Sequence, residues 1–212
     1  MGHRTRKRSL AIWSFVVASS MALFSIPEPV FAGDQPTETQ ILDALKPRAK
    51  TRSLGATRSL SGPGTDQDRR FIEGLRTRSA RSLTIEEREK VAVIAKEKPN
   101  IDLEINFDFN SANVGARAVP VLLTLGRALS KDELKGTVFL INGHTDAKGS
   151  LEYNQDLSER RAEAVKRLLV EQFNLPATTL VAIGYGKTQL KNNDNPLAGE
   201  NRRVQIVNTE VK

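Results

Sequence analysis

Between Asn100 and Val207 the hydrophobic pattern changes period in a fixed order, and that order limits the possible folds more than any other feature. Ile101, Leu103, Ile105 and Phe107 alternate with Asp102, Glu104 and Asn106, the pattern of a half-buried strand. Pro120 suits the first turn of a helix reaching about Ser130, with Val121, Leu122, Leu125 and Leu129 on its inner side. Thr137 to Ile141 reads as a second strand bounded by Gly136 and Gly143. A long helix follows from about Leu151 to Phe173, and Leu180 to Tyr185 and Val204 to Val207 read as two further strands. This βαβαββ order predicts an α+β domain: a small mixed four-stranded sheet with two helices on one face.

The segments ahead of it differ in character. Residues 1–32 read as an export signal: Arg4, Arg6, Lys7 and Arg8 precede the uncharged, mostly apolar run Leu10 to Ile26, and Val30-Phe31-Ala32 suits cleavage after Ala32. The alternative is an uncleaved inner-membrane anchor, the run being at the lower edge of a bilayer span. Residues 33–67, interrupted by Pro36, Pro47, Gly55, Gly62, Pro63 and Gly64, read as a flexible linker. Arg-Ser-Leu recurs there and nearby, at Arg8, Arg52, Arg58 and Arg81, with no regular period. Residues 68–99 read as a short helical segment, with Thr84 and Glu87 at capping-box spacing and Pro99 as a stop. The domain proper is expected over 100–212.

Charge and cysteine content narrow the chemistry. The net charge is +7, but residues 101–212 carry fourteen basic and fourteen acidic side chains, so the excess lies outside the expected domain. There is no cysteine, which excludes disulfides, thiol catalysis and a lipid-modified N-terminal cysteine. One histidine follows residue 32 and the carboxylates are scattered, so neither a metal site nor a cofactor is expected. Aromatic residues are 5% of the chain, little material for stacking bases, and nucleic acid is not an expected partner.

The densest polar cluster is Gly143-His144-Thr145-Asp146-Ala147-Lys148-Gly149, between a strand and the long helix. Loops of this kind, held on a rigid scaffold, collect binding residues. The helix beginning near Leu151 aims free N–H groups at the same space and favours a carboxylate there. Asn154 and Arg161, seven apart, share one face of that helix. Asp146 offers a carboxylate to a cation and Arg161 a planar fork to a carboxylate, which together suit a ligand bearing an ammonium and a carboxylate on neighbouring atoms. A direct Asp146–Arg161 ion pair fits the same residues.

The motifs Gly143-His144-Thr145-Asp146, Tyr153-Asn154, Leu157-Ser158-x-x-Arg161-Ala162, Gly184-Tyr185-Gly186 and Asn201-Arg202-Arg203-Val204, with Phe107-Asp108-Phe109-Asn110-Ser111 ahead of them, resemble the motif series of the OmpA-like peptidoglycan-binding domain. The resemblance covers about residues 100–210. It implies non-covalent binding of peptidoglycan through the diaminopimelate of its peptide stem, attaching an envelope protein to the cell wall. The family's ligand-holding residues fall on Asp146 and Arg161, with Asn110, Thr145, Asn154 and Arg202 beside them. It also implies an exported protein of the periplasm or outer membrane of a Gram-negative-type envelope. Residues 33–100 are too few and too helix-like for the membrane barrel of the family's best-known members; they leave room for an envelope protein partner instead.

Three other readings are weaker. Ser158, His144 and Asp146 name a triad, but no spacing places a nucleophile beside His144. A cell-envelope hydrolase acting on peptidoglycan would need a paired acid and base, and the expectation is that the protein is not an enzyme. Gly184-Tyr185-Gly186-Lys187-Thr188 ends like a phosphate loop, but Val181 stands where its first glycine belongs.

Overall fold

Four strands form one mixed sheet in the order β1-β4-β2-β3, from β1 (Asn100–Leu103), β2 (Phe139–His144), β3 (Leu180–Gly186) and β4 (Val204–Asn208). β2 and β3 are parallel, and β4 runs antiparallel to both β1 and β2. The computed structural model describes residues 35–47, 63–105, 107 and 111–210, which fall in the compact unit Gln35–Lys212. The expected export signal, Asn110 and residues 33, 34 and 48–62 of the segment read as a linker lie outside the described residues. Among the described residues no helix is long and apolar enough to cross a membrane.

Among the described residues, five α-helices accompany the sheet: α1 (Glu38–Leu45), α2 (Pro63–Leu75), α3 (Ile85–Lys96), α4 (Val119–Leu129) and α5 (Leu151–Phe173). Strand alternation divides their contacts. The front face presents Leu103, Phe139, Ile141, Leu180, Ala182, Val204 and Ile206 to a core shared with α1, α4 and α5. The back face presents Leu140, Val181, Ile183, Tyr185 and Val207 to α2 and α3, through Ile72, Leu75, Val91 and Ile94. The α+β class and the placement of α4 and α5 on one face agree with the sequence reading. The sheet is nevertheless covered on both sides, because its back-facing residues are apolar over β2, β3 and the end of β4.

Two boundaries differ from expectation. The segment read as a linker contains α1, whose Ile41 and Leu45 are fully buried. Thr37 and Gln40 form a reciprocal capping box at its start, and Asn208 Nδ2 donates to Leu45 O at 2.7 Å at its end. β1 stops at Leu103, where its partner strand begins at Val204; beyond it, among the described residues, Phe107 and Val114 form an isolated bridge. The capping box expected at Thr84 is present, with Thr84 N donating to Glu87 Oε2 at 2.9 Å and Glu87 N to Thr84 Oγ1 at 3.2 Å.

The chain between α2 and α3, together with the start of α3, is tied to α5 and to Thr178 just ahead of β3. Arg76 Nε donates to Thr178 O at 2.7 Å, Ala80 N donates to Glu163 Oε1 at 2.9 Å, and Arg88 Nη1 meets Glu159 Oε1 at 3.0 Å in a nearly buried ion pair.

Candidate ligand site at the β2–α5 turn

Glycines let α5 settle directly on the strand backbones beneath it. A Cβ at Gly184 would fall 2.5 Å from Glu159 Cγ and 2.6 Å from Glu159 N, and one at Gly186 2.9 Å from Gln155 N. Gly186 also has φ +52°, a conformation side chains resist. Ser158 Oγ fills the remaining space, accepting from Gly186 N at 2.8 Å and donating to Gln155 O at 2.8 Å. The Gly184-Tyr185-Gly186 motif is therefore a docking surface for a helix. Ser158 is fully buried with its hydroxyl committed at both ends, so the Ser158–His144–Asp146 triad is not assembled.

This docking fixes the turn that joins β2 to α5. Ser150 caps α5 by accepting from Tyr153 N at 3.1 Å. Buried Asn154 reaches back, its Nδ2 donating to Lys148 O at 2.8 Å and Ser150 O at 2.9 Å. Thr145 N donates to Gly186 O at 2.9 Å, and its hydroxyl donates to Asp146 O at 3.0 Å. Asn154 and Thr145 thus shape the loop through bonds within the protein.

Asp146 stands at the centre. Its Oδ1 accepts from Lys148 N at 3.1 Å, and its Oδ2 pairs with Arg202 Nη1 at 2.9 Å. The Asp146 side chain is 16% exposed and that of Arg202 51%. The ion pair left open by the sequence, Asp146 with Arg161, is not the one formed. Arg161 instead donates from Nε to Ser111 O at 3.1 Å and lies 4.7 Å over the Phe107 ring. Burial pulls the Arg161 pKa below its ordinary value; Tyr153 and Asp146 oppose that shift, and Arg202 and Arg160 add to it. Asp146, Arg161 and Arg202 therefore share one electrostatic neighbourhood.

Sequence reasoning named Asn201 only as a member of the Asn201-Arg202-Arg203-Val204 motif and gave it no role; it is fully buried and orders the loop that leads to Arg202. Its Oδ1 accepts from Lys191 N at 2.8 Å and Asn192 N at 2.9 Å, and its Nδ2 donates to Asn195 O and Pro196 O, both at 3.1 Å. Ala147 N donates to Pro196 O at 3.0 Å and ties this loop to the Asp146 turn. The available signal was Asn201 itself, an amide placed beside Arg202-Arg203.

His144 turns to the back of the sheet. Burial, with Arg203 nearby, draws its pKa down to about 3, so the ring is neutral. Its Nδ1 lies 3.1 Å from Gln189 O, and it stacks on Tyr185 with ring centroids 5.3 Å apart. Among the described residues no group of three or more His, Cys, Asp or Glu gathers as metal ligands would.

Residues 106–203 match the model of the OmpA family. The chain carries an OmpA-like domain. It is 32% identical over 115 residues to outer membrane porin F of Pseudomonas aeruginosa, covering 53% of this chain and 32% of the porin. It is 35% identical over 101 residues to a peptidoglycan-associated lipoprotein of Pseudomonas putida, covering 47% of this chain and 59% of that one. The crystal structure of the peptidoglycan-associated lipoprotein from Burkholderia pseudomallei aligns at 30% identity and a TM-score of 0.42, covering 49% of this chain and 87% of that one. The chain thus spans between a third and three fifths of the length of these two curated relatives. Helices α1, α2 and α3 lie outside the OmpA-family match.

Proposed function

We propose that this OmpA-like domain binds peptidoglycan without covalent linkage, through the diaminopimelate of its peptide stem, and so attaches the protein to the cell wall. The observation that carries the reading is Asp146, a partly buried carboxylate flanked by Arg161 and Arg202 beside the N-terminus of α5. In this reading Asp146 receives the ligand ammonium, while Arg161 and Arg202 receive the neighbouring carboxylate. Arg202 must then pass from Asp146 to the ligand. Asn110 completes the proposed ligand set. A relative named for its association with peptidoglycan supports the same partner, and an export signal over 1–32 would deliver the protein to the periplasm or the outer membrane. The protein acts as a binding module, not a hydrolase.

Incubating the purified protein with cell-wall sacculi tests this. The expected result is co-pelleting without release of soluble fragments; release of fragments would mean hydrolysis. Asp146→Asn keeps the shape and removes the charge, which costs a charge-assisted bond of about 1.5–3 kcal/mol. The variant should stay in the supernatant while melting as a folded protein. Unchanged pelleting would remove Asp146 from the site.

A further inference from the structure

Helix α5 is tethered on one side and carries its proposed ligand residues on the other. At about 100° per residue, Asp156, Glu159 and Glu163 fall on the side opposite Asn154 and Arg161. All three carboxylates are met by residues 80–88, which lie ahead of the OmpA-family match. Arg81 Nη2 pairs with Asp156 Oδ1 at 2.6 Å, Ala80 N donates to Glu163 Oε1 at 2.9 Å, and Arg88 Nη1 pairs with Glu159 Oε1 at 3.0 Å. One of the recurring triplets, Arg81-Ser82-Leu83, belongs to this tether: Arg81 reaches α5, and Leu83 is buried in the back-face core.

The ties are unequal. The Arg81 and Asp156 side chains are exposed, and an ion pair in water contributes little. Those of Arg88 and Glu159 are only 15% and 8% exposed, so losing Arg88 strands a charge with neither water nor partner. Glu159 Oε1 also accepts from Gln155 Nε2 at 2.7 Å, and the same Nε2 donates to Gly184 O at 2.8 Å. Gly184 is the residue against which Glu159 packs, too closely for any Cβ. The bonds Arg88–Glu159–Gln155–Gly184 therefore run from α3 through the seat of α5 to β3. Asn154, next to Gln155, closes the Asp146 turn through Lys148 O and Ser150 O, and Arg161 follows Glu159 by two residues. A shift of α5 on its seat moves both, and a binding constellation tolerates only about 0.5 Å of such movement.

We infer that Arg88 is a positioning residue for the ligand site, and that through it the segment joining α2 to α3 sets how tightly the domain holds the cell wall. Arg88 acts through Glu159 on the seat of α5 and touches no ligand itself. The inference rests on the proposed function and places control of that site in a segment outside the family match.

Two variants of the full chain separate position from stability. Arg88→Met leaves Glu159 charged and unpaired, so it should lower the Tm and weaken sacculus binding together. Adding Glu159→Gln removes the stranded charge and keeps an acceptor for Gln155, so the double variant should melt close to wild type, and it carries the test alone should the single variant fail to fold. Its tie to α3 is still missing. Sacculus binding, titrated by pelleting, should therefore remain at least threefold weaker than wild type, and the side-chain amide resonances of Asn154 should shift with no ligand present. Binding that recovers along with the Tm would overturn the proposal, as would Asn154 resonances identical to those of wild type. So would an equal loss with Arg81→Ala, which cuts only the exposed tie. If wild type itself fails to pellet, the proposed function falls, while the Asn154 resonances still decide whether Arg88 positions α5.

Discussion

The two faces of the sheet are sealed by different means. At the end of the front face nearest the Asp146 turn, Gly184 and Gly186 bring α5 against the strand backbones, while the rest of that face packs through side chains. On the back, α2 and α3 meet the sheet through Ile72, Leu75, Val91 and Ile94 and cover only its apolar half. Backbone-to-backbone docking fixes the start of α5 to within the tolerance of a hard contact, and the Asp146 turn inherits that precision. Side-chain packing over the back leaves a polar remainder beside it, where Asn142, His144 and Gln205 line a cleft. The candidate site at Asp146 lies at the end of the sheet where α5 rests on strand backbone.

Removing one layer outright is the strongest way to break this comparison. The sequence places the domain over 100–212, whereas the back-face core draws on residues 72–95 and the front-face core on Ile41 and Leu45. A fragment of residues 99–212 would expose Leu140, Val181, Ile183 and Val207, each fully buried side chain being worth about 1.5–3 kcal/mol. Such a fragment should aggregate or lack a cooperative melt, while residues 35–212 should melt cooperatively. Equal melting of the two fragments would make the back layer dispensable. On the front, Gly184→Ala forces a methyl against Glu159 N and should cost about 1–3 kcal/mol, seen as a lower Tm together with weaker sacculus pelleting. If the Tm falls and pelleting does not, the site does not depend on the seating of α5.

A smaller effect belongs to the back face. Asp102 accepts from Arg203 Nε at 3.2 Å and pairs with Lys191 Nζ at 2.9 Å. Burial by itself would raise its pKa, but the Lys191 bond and the two cations outweigh burial and hold it below the ordinary value. The folded protein therefore binds this proton less readily than the unfolded chain. The resulting stability is present above the unfolded pKa of about 3.9 and is lost as the pH falls through the folded value. Asp102→Asn should destabilise by about 1–2 kcal/mol at neutral pH, with the gap to wild type closing in acid. A gap independent of pH, followed by denaturant unfolding, would show that packing, not charge, is the contribution of Asp102.

The same division explains what the sequence disclosed. Period-2 and period-3.6 patterns located all four strands and two of the three front-face helices, α4 and α5, and the spacing of Asn154 and Arg161 placed them on one side of α5. The back layer was harder to read. Gly74 and the charged residues around Phe71 and Ile72 blur the α2 pattern, and nothing local says which face of a sheet a helix will cover. α1 was legible in principle, since Thr37-x-x-Gln40 followed by Ile41 and Leu45 is a capping box ahead of an apolar stripe. Its proline-rich surroundings masked it. In the site, Asp146 and Arg161 could be named from their types, but the partner of Asp146 could not. That choice depends on Asn201 folding the preceding loop, a set of long-range bonds with no sequence period.

The smallest expected effect concerns how Arg161 reads its ligand. Its Nε is engaged by Ser111 O and its plane rests over Phe107, so the guanidinium is oriented before any ligand arrives. Under the proposed function that orientation aims a two-pronged donor at the diaminopimelate carboxylate. Arg161→Lys keeps the charge but replaces a flat fork with a point charge on a flexible stem. The variant should bind a stem peptide with a free carboxylate several-fold more weakly, a loss of about 1 kcal/mol, one neutral hydrogen bond's worth. Amidating that carboxylate removes one charged acceptor, so wild type and variant should then bind almost alike. Were Arg161 only a brace for the loop at Ser111, the substitution would weaken both peptides by the same factor. Titrating the two proteins with the two peptides gives four affinities, and an Arg-to-Lys ratio unchanged by amidation would reject direct recognition of the carboxylate by Arg161.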